Sequence, residues 1–406
     1  MAATVTSMLN AIKDIGREPA SGGYYRPIWS DAELTLREWF TGEAQARGLD
    51  VHTDQNGIMW AWAGTPGPNA LVTGSHLDSV PGGGNFDGPL GVASALAAYD
   101  VMKERGVDFT APGARPFVIA VFPEEEGSRF GKACLGSHLL NGTVDLAETM
   151  NLKDLDGITF AEAAKANGYD PTRFGRDEEM IGLMGSFIEL HVEQGRGLID
   201  LGQPVALAES IIASGRWSMR VEGEGNHAGA TPLALRRDPM VAAASVVRAV
   251  REAAAATDGG VATVGRLLAH PGGVNVIPSH VDMTLDCRHP EKAVVDGIIE
   301  AIRAAGKAAA AEEGCTFTLE GSGKPTLYFD SDLASRMQAV LPEAPVLPSG
   351  AGHDAGILAK DLPTGMLFVR NPSGISHSPE EYAEDADADF GAIALADVLT
   401  AELTVK

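Results

Sequence analysis

Five short segments of this chain carry histidines and carboxylates in patterns that suit a metal centre. In Thr73-Gly74-Ser75-His76-Leu77-Asp78 a histidine closes an apolar run and an aspartate follows two residues later. A neutral imidazole is a transition-metal ligand, and a neighbouring carboxylate can hold its other ring nitrogen. In residues 81–88 three consecutive glycines precede Asp87, a carboxylate placed to bridge two cations. In residues 122–127 Glu124, Glu125 and Glu126 stand side by side after another apolar run. Three adjacent carboxylates repel one another unless cations offset the charge. One of them can then bind metal, while a free neighbour takes a proton from water. His191, in Glu189-Leu190-His191-Val192-Glu193-Gln194-Gly195, and His377, in Ile375-Ser376-His377-Ser378-Pro379-Glu380, complete the set. Mixed nitrogen and oxygen donors suit Zn, Mn, Co or Ni. Taken singly, each residue has a plainer reading: a turn histidine, or an aspartate capping a helix. Convergence at strand ends is what favours the metal.

That convergence depends on the elements that carry the residues. Residues 70–74 and 116–122 are short apolar runs rich in β-branched side chains and read as buried parallel strands. Residues 186–192 and 364–369 read as further strands, and 89–103, 331–341 and 385–404 as helices. Ligand sites in open α/β sheets gather at the carboxyl ends of the strands. Between residues 213 and 325 the pattern changes. Strands at 217–221, 262–269, 281–288 and 316–320 alternate with helices at 238–256 and 291–313, a β-α-β-β-α-β order of the ferredoxin-like kind. The expectation is therefore an α/β catalytic domain of residues 1–212 and 326–406, interrupted by a smaller domain of residues 213–325. A chain of 406 residues exceeds what one core usually supports.

The net charge of −24 argues against nucleic acid as a partner, because phosphate binding needs a Lys/Arg excess. Any site for an anionic substrate must be a local basic feature. No apolar run approaches the length of a membrane span. The first 22 residues lack a basic segment followed by an apolar one, so no signal peptide is expected. Cys134, Cys287 and Cys315 give neither a disulfide framework nor a CxxC pair, and a reduced, cytoplasmic location fits.

In order along the chain, GSHLDSVPGGGNFDGPLGV (74–92), EEEGSRF (124–130), ELHVEQG (189–195), GEGNHAGATPLALRRDP (223–239), GGVNVIPS (272–279), DCR (286–288) and GISHSPEE (374–381) resemble the M20 metallopeptidase/amidohydrolase superfamily. More narrowly, they resemble its N-carbamoyl-L-amino-acid hydrolase and allantoate amidohydrolase branch. The resemblance implies a catalytic α/β domain interrupted by a dimerisation or lid domain, and a homodimer. It implies two divalent ions bridged by Asp87, with His76 and His191 completing one site and Glu126 and His377 the other. Glu125 would be the general base, and Asp78 would support His76. His227 would stabilise an oxyanion in the other subunit. Asn275 and Arg288 would grip the substrate's α-carboxylate, and Gln194 its ureido group. Glu124 is left without a catalytic role, and His353-Asp354 reads as support for the site. Each substrate-side residue also has a bland reading: a turn for His227 and Asn275, an ion pair for Arg288. Residues 368–373 depart from the branch pattern, and Arg370 either alters the pocket near His377 or packs outside it.

The expected activity is hydrolysis of the linear C–N bond of a carbamoyl or ureido group in a small carboxylate, an N-carbamoyl-L-α-amino acid or allantoate, with release of ammonia and carbon dioxide. Two rivals stand beside it. One is an aminoacylase or exopeptidase-like hydrolase of N-acyl amino acids or dipeptides. The other is a catalytically inactive, metal-stabilised binding protein, which would have lost a ligand or the base.

Overall fold

The apolar runs become the middle of a sheet, and their burial accounts for their composition. In a computed structural model, which describes residues 4–405, Thr364–Val369, Met184–Val192, Ala70–His76 and Phe117–Phe122 lie side by side in parallel. Almost every residue in these strands is buried. Strands covered on both faces need no polar alternation. Antiparallel strands form the margins: Val205–Ile211 beside Thr364–Val369, and Met59–Ala63 then Asp50–Thr53 beyond Phe117–Phe122. These marginal strands were not read from the sequence. The architecture is α/β with a central, mostly parallel sheet.

Helices Pro89–Glu104 and Asp385–Leu403 cover the sheet through one apolar core, in which Leu90, Ala93, Leu96, Leu395 and Leu399 meet Leu71, Ile119, Ile188 and Leu367. Pro89 stands in the first turn, where its missing N–H costs nothing. Short helices Leu135–Leu140, Leu146–Met150 and Phe160–Ala166 build a satellite core with Ile28, Trp29, Phe130 and Phe174, which the periodicity had not marked.

The parallel strands run in one direction, so their last residues share an edge. His76 pairs across from Phe122, and Val369 from Val192. The loops that leave this edge carry Asp78, Asp87, Glu124 to Glu126, Gln194 and His377. Close strand packing is set by Gly74, which has φ +148°; a Cβ there would lie 1.9 Å from the carbonyl oxygen of Ala120. Gly74→Ala is expected to destabilise the protein by about 3 kcal/mol or more, at the top of the range for overpacking, read as a lower urea midpoint.

The chain divides into two compact units, residues 1–209 with 328–406, and residues 210–327. The second unit is an antiparallel sheet ordered Val261–His270, His280–His289, Ala213–Glu222, Thr316–Lys324. Helices Pro239–Ala255 and Lys292–Glu312 pack on it. They contribute Ala242, Val246 and Val250, and Val295, Ile298, Ile299 and Ile302, at the spacings of an amphipathic helix. Trp217, Met219 and Val221 face that core while Arg216, Ser218 and Arg220 alternate outward. A two-stranded ribbon, Asn226–His227 with Val276–Ile277, belongs to the same unit. Among the described residues no helix is long and apolar enough to cross a membrane.

Candidate metal centre

At the shared strand edge of the first unit, Asp87 is the hub. Its Oδ1 lies 3.4 Å from Nε2 of His76 and 3.2 Å from Nε2 of His191, and those two nitrogens are 3.5 Å apart. Its Oδ2 lies 3.4 Å from Nε2 of His377, which is 3.6 Å from Oε2 of Glu126. The residues thus form two donor groups, His76/Asp87/His191 and Asp87/Glu126/His377, with Asp87 common to both. Donors held at 2.0–2.1 Å from one tetrahedral ion are about 3.3 Å apart, so the observed separations fit. A further sign is Oε1 of Glu126, buried and without a hydrogen-bond partner, a costly state unless a cation faces it.

Charge explains how the cluster persists. Burial would raise the pKa of Asp87, but hydrogen bonds from His191, His377 and His76 outweigh it and hold the carboxyl well below its usual range. Burial would lower that of His76, but Glu125, Asp78 and Asp87 push the ring well above its ordinary value. Bonding to Asp87, opposed by burial, raises His377 to about 9. Glu125 is buried, and desolvation drives its pKa well up against the pull of His76. Its Oε2 stands 3.7 Å from Nε2 of His76, beside the donor groups and outside both of them.

Residues 72–401 match the model of peptidase family M20/M25/M40. The chain belongs to this family. Members are metal-dependent, and the donor groups described above fit that chemistry. The chain is 37% identical over 391 residues to an N-carbamoyl-L-amino acid amidohydrolase of Geobacillus stearothermophilus, covering 95% of this chain and 94% of the relative. It is 32% identical over 403 residues to the allantoate amidohydrolase of Escherichia coli K12, covering 95% and 94%. The crystal structure of an amidase of the hydantoinase/carbamoylase family from Burkholderia vietnamiensis superimposes with a TM-score of 0.88 at 31% identity, covering 99% of this chain and 97% of that one.

Around the donors of this M20/M25/M40 member, other groups hold the loops. Asp78 accepts hydrogen bonds from the backbone N–H groups of Glu125 and Glu126, both at 3.1 Å, and its Oδ1 lies 3.5 Å from Nδ1 of His76. It therefore joins two of the loops. Gly88, at φ +82°, leaves room for the same ring: a Cβ there would lie 2.4 Å from Cε1 of His76. Glu124 turns away, with φ +53°, and accepts from the backbone N–H groups of Arg129 and Phe130. Burial pushes its pKa to about 8. The side chain of Gln194 donates to Oδ2 of Asp87 at 2.8 Å and lies 3.2 Å from Nε2 of His377. The ring of His353 packs on His191 at 4.6 Å between centroids, and Asp354 accepts from Ser137 Oγ at 2.5 Å. Arg370 is paired with Asp387 of the last helix, at 2.8 Å.

Two residues escaped the sequence reading. Glu381 accepts from the backbone N–H groups of Phe86 and Asp87 and from the hydroxyl of Ser376, so it ties the Asp87 loop to the His377 loop. Its signal was its place four residues after His377, at the end of the 374–381 segment. Cys134 donates its thiol to Oε1 of Glu125 at 3.1 Å, and nothing local marked it.

The remaining candidates lie in the second unit. His227 is exposed, and its Nδ1 accepts from the backbone N–H groups of Gly229 and Ala230, both at 3.1 Å. The ring proton of the neutral form is thereby placed on Nε2, a free-facing donor. The carbonyl of Asn275 accepts from Ala228 N, and ribbon pairing sets His227 opposite Val276. Arg288 makes a bidentate pair with Asp286, at 2.7 and 3.0 Å.

Proposed function

We propose that this protein is a metal-dependent amidohydrolase that cleaves the linear C–N bond of a carbamoyl or ureido group, acting on an N-carbamoyl-L-α-amino acid or allantoate. The observation that carries the reading is the pair of donor groups sharing Asp87 with Glu125 set beside them, in a chain that resembles carbamoyl and ureido hydrolases over nearly its whole length.

Two divalent ions are the cofactor of this reading: His76 and His191 would hold one, Glu126 and His377 the other, and Asp87 would serve both. When bound, such ions act as Lewis acids that polarise a carbonyl oxygen and acidify water. Glu125 takes the proton of the attacking water and passes it to the leaving nitrogen; its desolvated carboxylate is suited to hold a proton in transit. His227 donates from Nε2 to the oxyanion of the tetrahedral intermediate. Gln194 faces the ureido group, and Asn275 with Arg288 receives the α-carboxylate, for which Arg288 exchanges Asp286 for the substrate. Asp78 holds His76 in orientation. Hydrolysis consumes one water and yields ammonia, carbon dioxide and the free amino or ureido acid.

Residues 213–325, which fall within the second unit, are in this reading a ferredoxin-like dimerisation and lid domain, and residues 1–212 with 326–406 form the catalytic domain. The strand order of the second unit and the exposed ring of His227 support it. The assembly is a homodimer in which His227 serves the other subunit's centre, and the location is cytoplasmic.

Chelated protein is expected to release no ammonia from any ureido substrate, and Mn, Co, Ni or Zn should restore release. Allantoate and several N-carbamoyl-L-amino acids are compared in parallel. An N-acetyl amino acid scored for free amine is the control. Free amine from the control without ammonia from the ureido compounds would replace this reading with an aminoacylase.

A further inference from the structure

Another group of potential ligands lies in the second unit and contains no residue assigned a role above. His270 ends one strand of the antiparallel sheet, and His280 begins the next and faces it directly in register. Their rings stack at 4.4 Å between centroids, 11° from parallel. Asp282, two residues after His280, shares its side of the sheet. Oδ2 of Asp282 lies 3.2 Å from Nε2 of His270 and 3.8 Å from Nε2 of His280. The three donor atoms are mutually within 4.8 Å; the 3.2 Å separation matches the roughly 3.3 Å edge of a tetrahedral site, and the 3.8 Å one exceeds it by about half an ångström.

Two features prepare these nitrogens for a ligand. Ser279 Oγ donates to the carbonyl of His270, so its oxygen is left to accept from Nδ1 of His280 at 3.1 Å. That places the proton of His280 on Nδ1 and a lone pair on Nε2, the arrangement found in metal-ligating histidines. Nε2 of His270 is buried and makes no hydrogen bond. The opposing feature is Arg220, whose guanidinium donates to Asp282 at 2.6 and 3.1 Å. It orients the carboxylate but sets a positive charge beside the ligand position.

We propose that His270, His280 and Asp282 form a binding site for one transition-metal dication of the Zn2+ or Ni2+ class. Two imidazoles and one carboxylate select such ions over Mg2+ and Ca2+. The ion ties together both ends of the 271–279 loop. This loop carries Asn275 and, through Val276–Ile277, pairs with the strand holding His227. It acts as an inter-strand staple that shortens a flexible closure.

The test counts ions in the full-length protein. Apo-protein is dialysed against micromolar Zn2+, and bound metal per chain is measured by mass spectrometry for wild type, His270→Asn, His280→Asn and Arg220→Gln, with circular dichroism confirming the fold of each. Each histidine variant is expected to bind one ion fewer than wild type. Arg220→Gln should keep the wild-type number and half-saturate the affected ion at roughly fivefold lower free Zn2+, the effect of removing one exposed like charge. The count is a difference between variants, so it stands whatever the occupancy of the Asp87 centre. Equal stoichiometry in wild type and both histidine variants would overturn the proposal, as would unchanged Zn2+ affinity in Arg220→Gln together with undiminished binding in whichever histidine variant folds.

Discussion

Glu125→Gln is expected to lower kcat by about 10²–10⁴-fold, the range contributed by a positioned general acid–base group, while leaving the metal content at its wild-type value. The substitution keeps size and shape. The amide oxygen still accepts from the Cys134 thiol, and the backbone N–H still donates to Asp78. What disappears is a group able to take a proton and give it back. Glu125 is outside both donor groups, which is why its loss should spare the ions. Metal analysis alongside steady-state ammonia release separates the two effects. Near-normal turnover with ions bound would remove Glu125 as the base.

Asp87→Asn is expected to do the opposite: ions and turnover fall together. One carboxylate serves three histidines, with Oδ1 toward His76 and His191 and Oδ2 toward His377. An amide offers one neutral oxygen and turns an NH2 toward the other side, so one donor group loses its anion and the other gains a misplaced donor. The affinity loss should exceed the roughly 10–100-fold that removal of an outer hydrogen-bond partner costs a metal site. Ions per chain by mass spectrometry and ammonia release check it. Wild-type ion content in Asp87→Asn would show that the two groups do not depend on a common bridge.

The two variants differ because of where their residues sit, and much of that placement was readable in the linear chain. Period and composition mark 70–74, 116–122, 186–192 and 364–369 as buried strands, and parallel strands end at one edge. His76 and the Glu124 to Glu126 run follow such strands closely in sequence, His191 stands next to last in another, and His377 lies on the loop that leaves the fourth, so their convergence follows from local pattern plus one topological rule. The helix beginning at Pro89, buried from Pro89 to Tyr99, was equally legible, because proline at its start and a glycine beyond its end bound it.

Contacts between segments far apart in the chain were not legible. Glu381 holds the backbone of Asp87 across 294 residues of chain, and Ser137 reaches Asp354 across 217. Nothing in the spacing of either pair records the approach, because a hydrogen bond needs atoms within about 3 Å and only the folded path of the intervening chain sets that distance. Arg370 belongs to the same class: from the chain it either altered the pocket near His377 or packed outside it, and in the fold it pairs with Asp387 of the last helix. The amino-acid order by itself determined which side chains stand at the ends of the central strands, since strand period and strand direction are local properties. Only the tertiary structure decided which oxygen of Asp87 meets which histidine, which carboxylate of the 124–126 run turns away, and which backbone N–H groups hold Asp78 and Glu381 in place. Those are matters of angstroms between segments far apart in the chain.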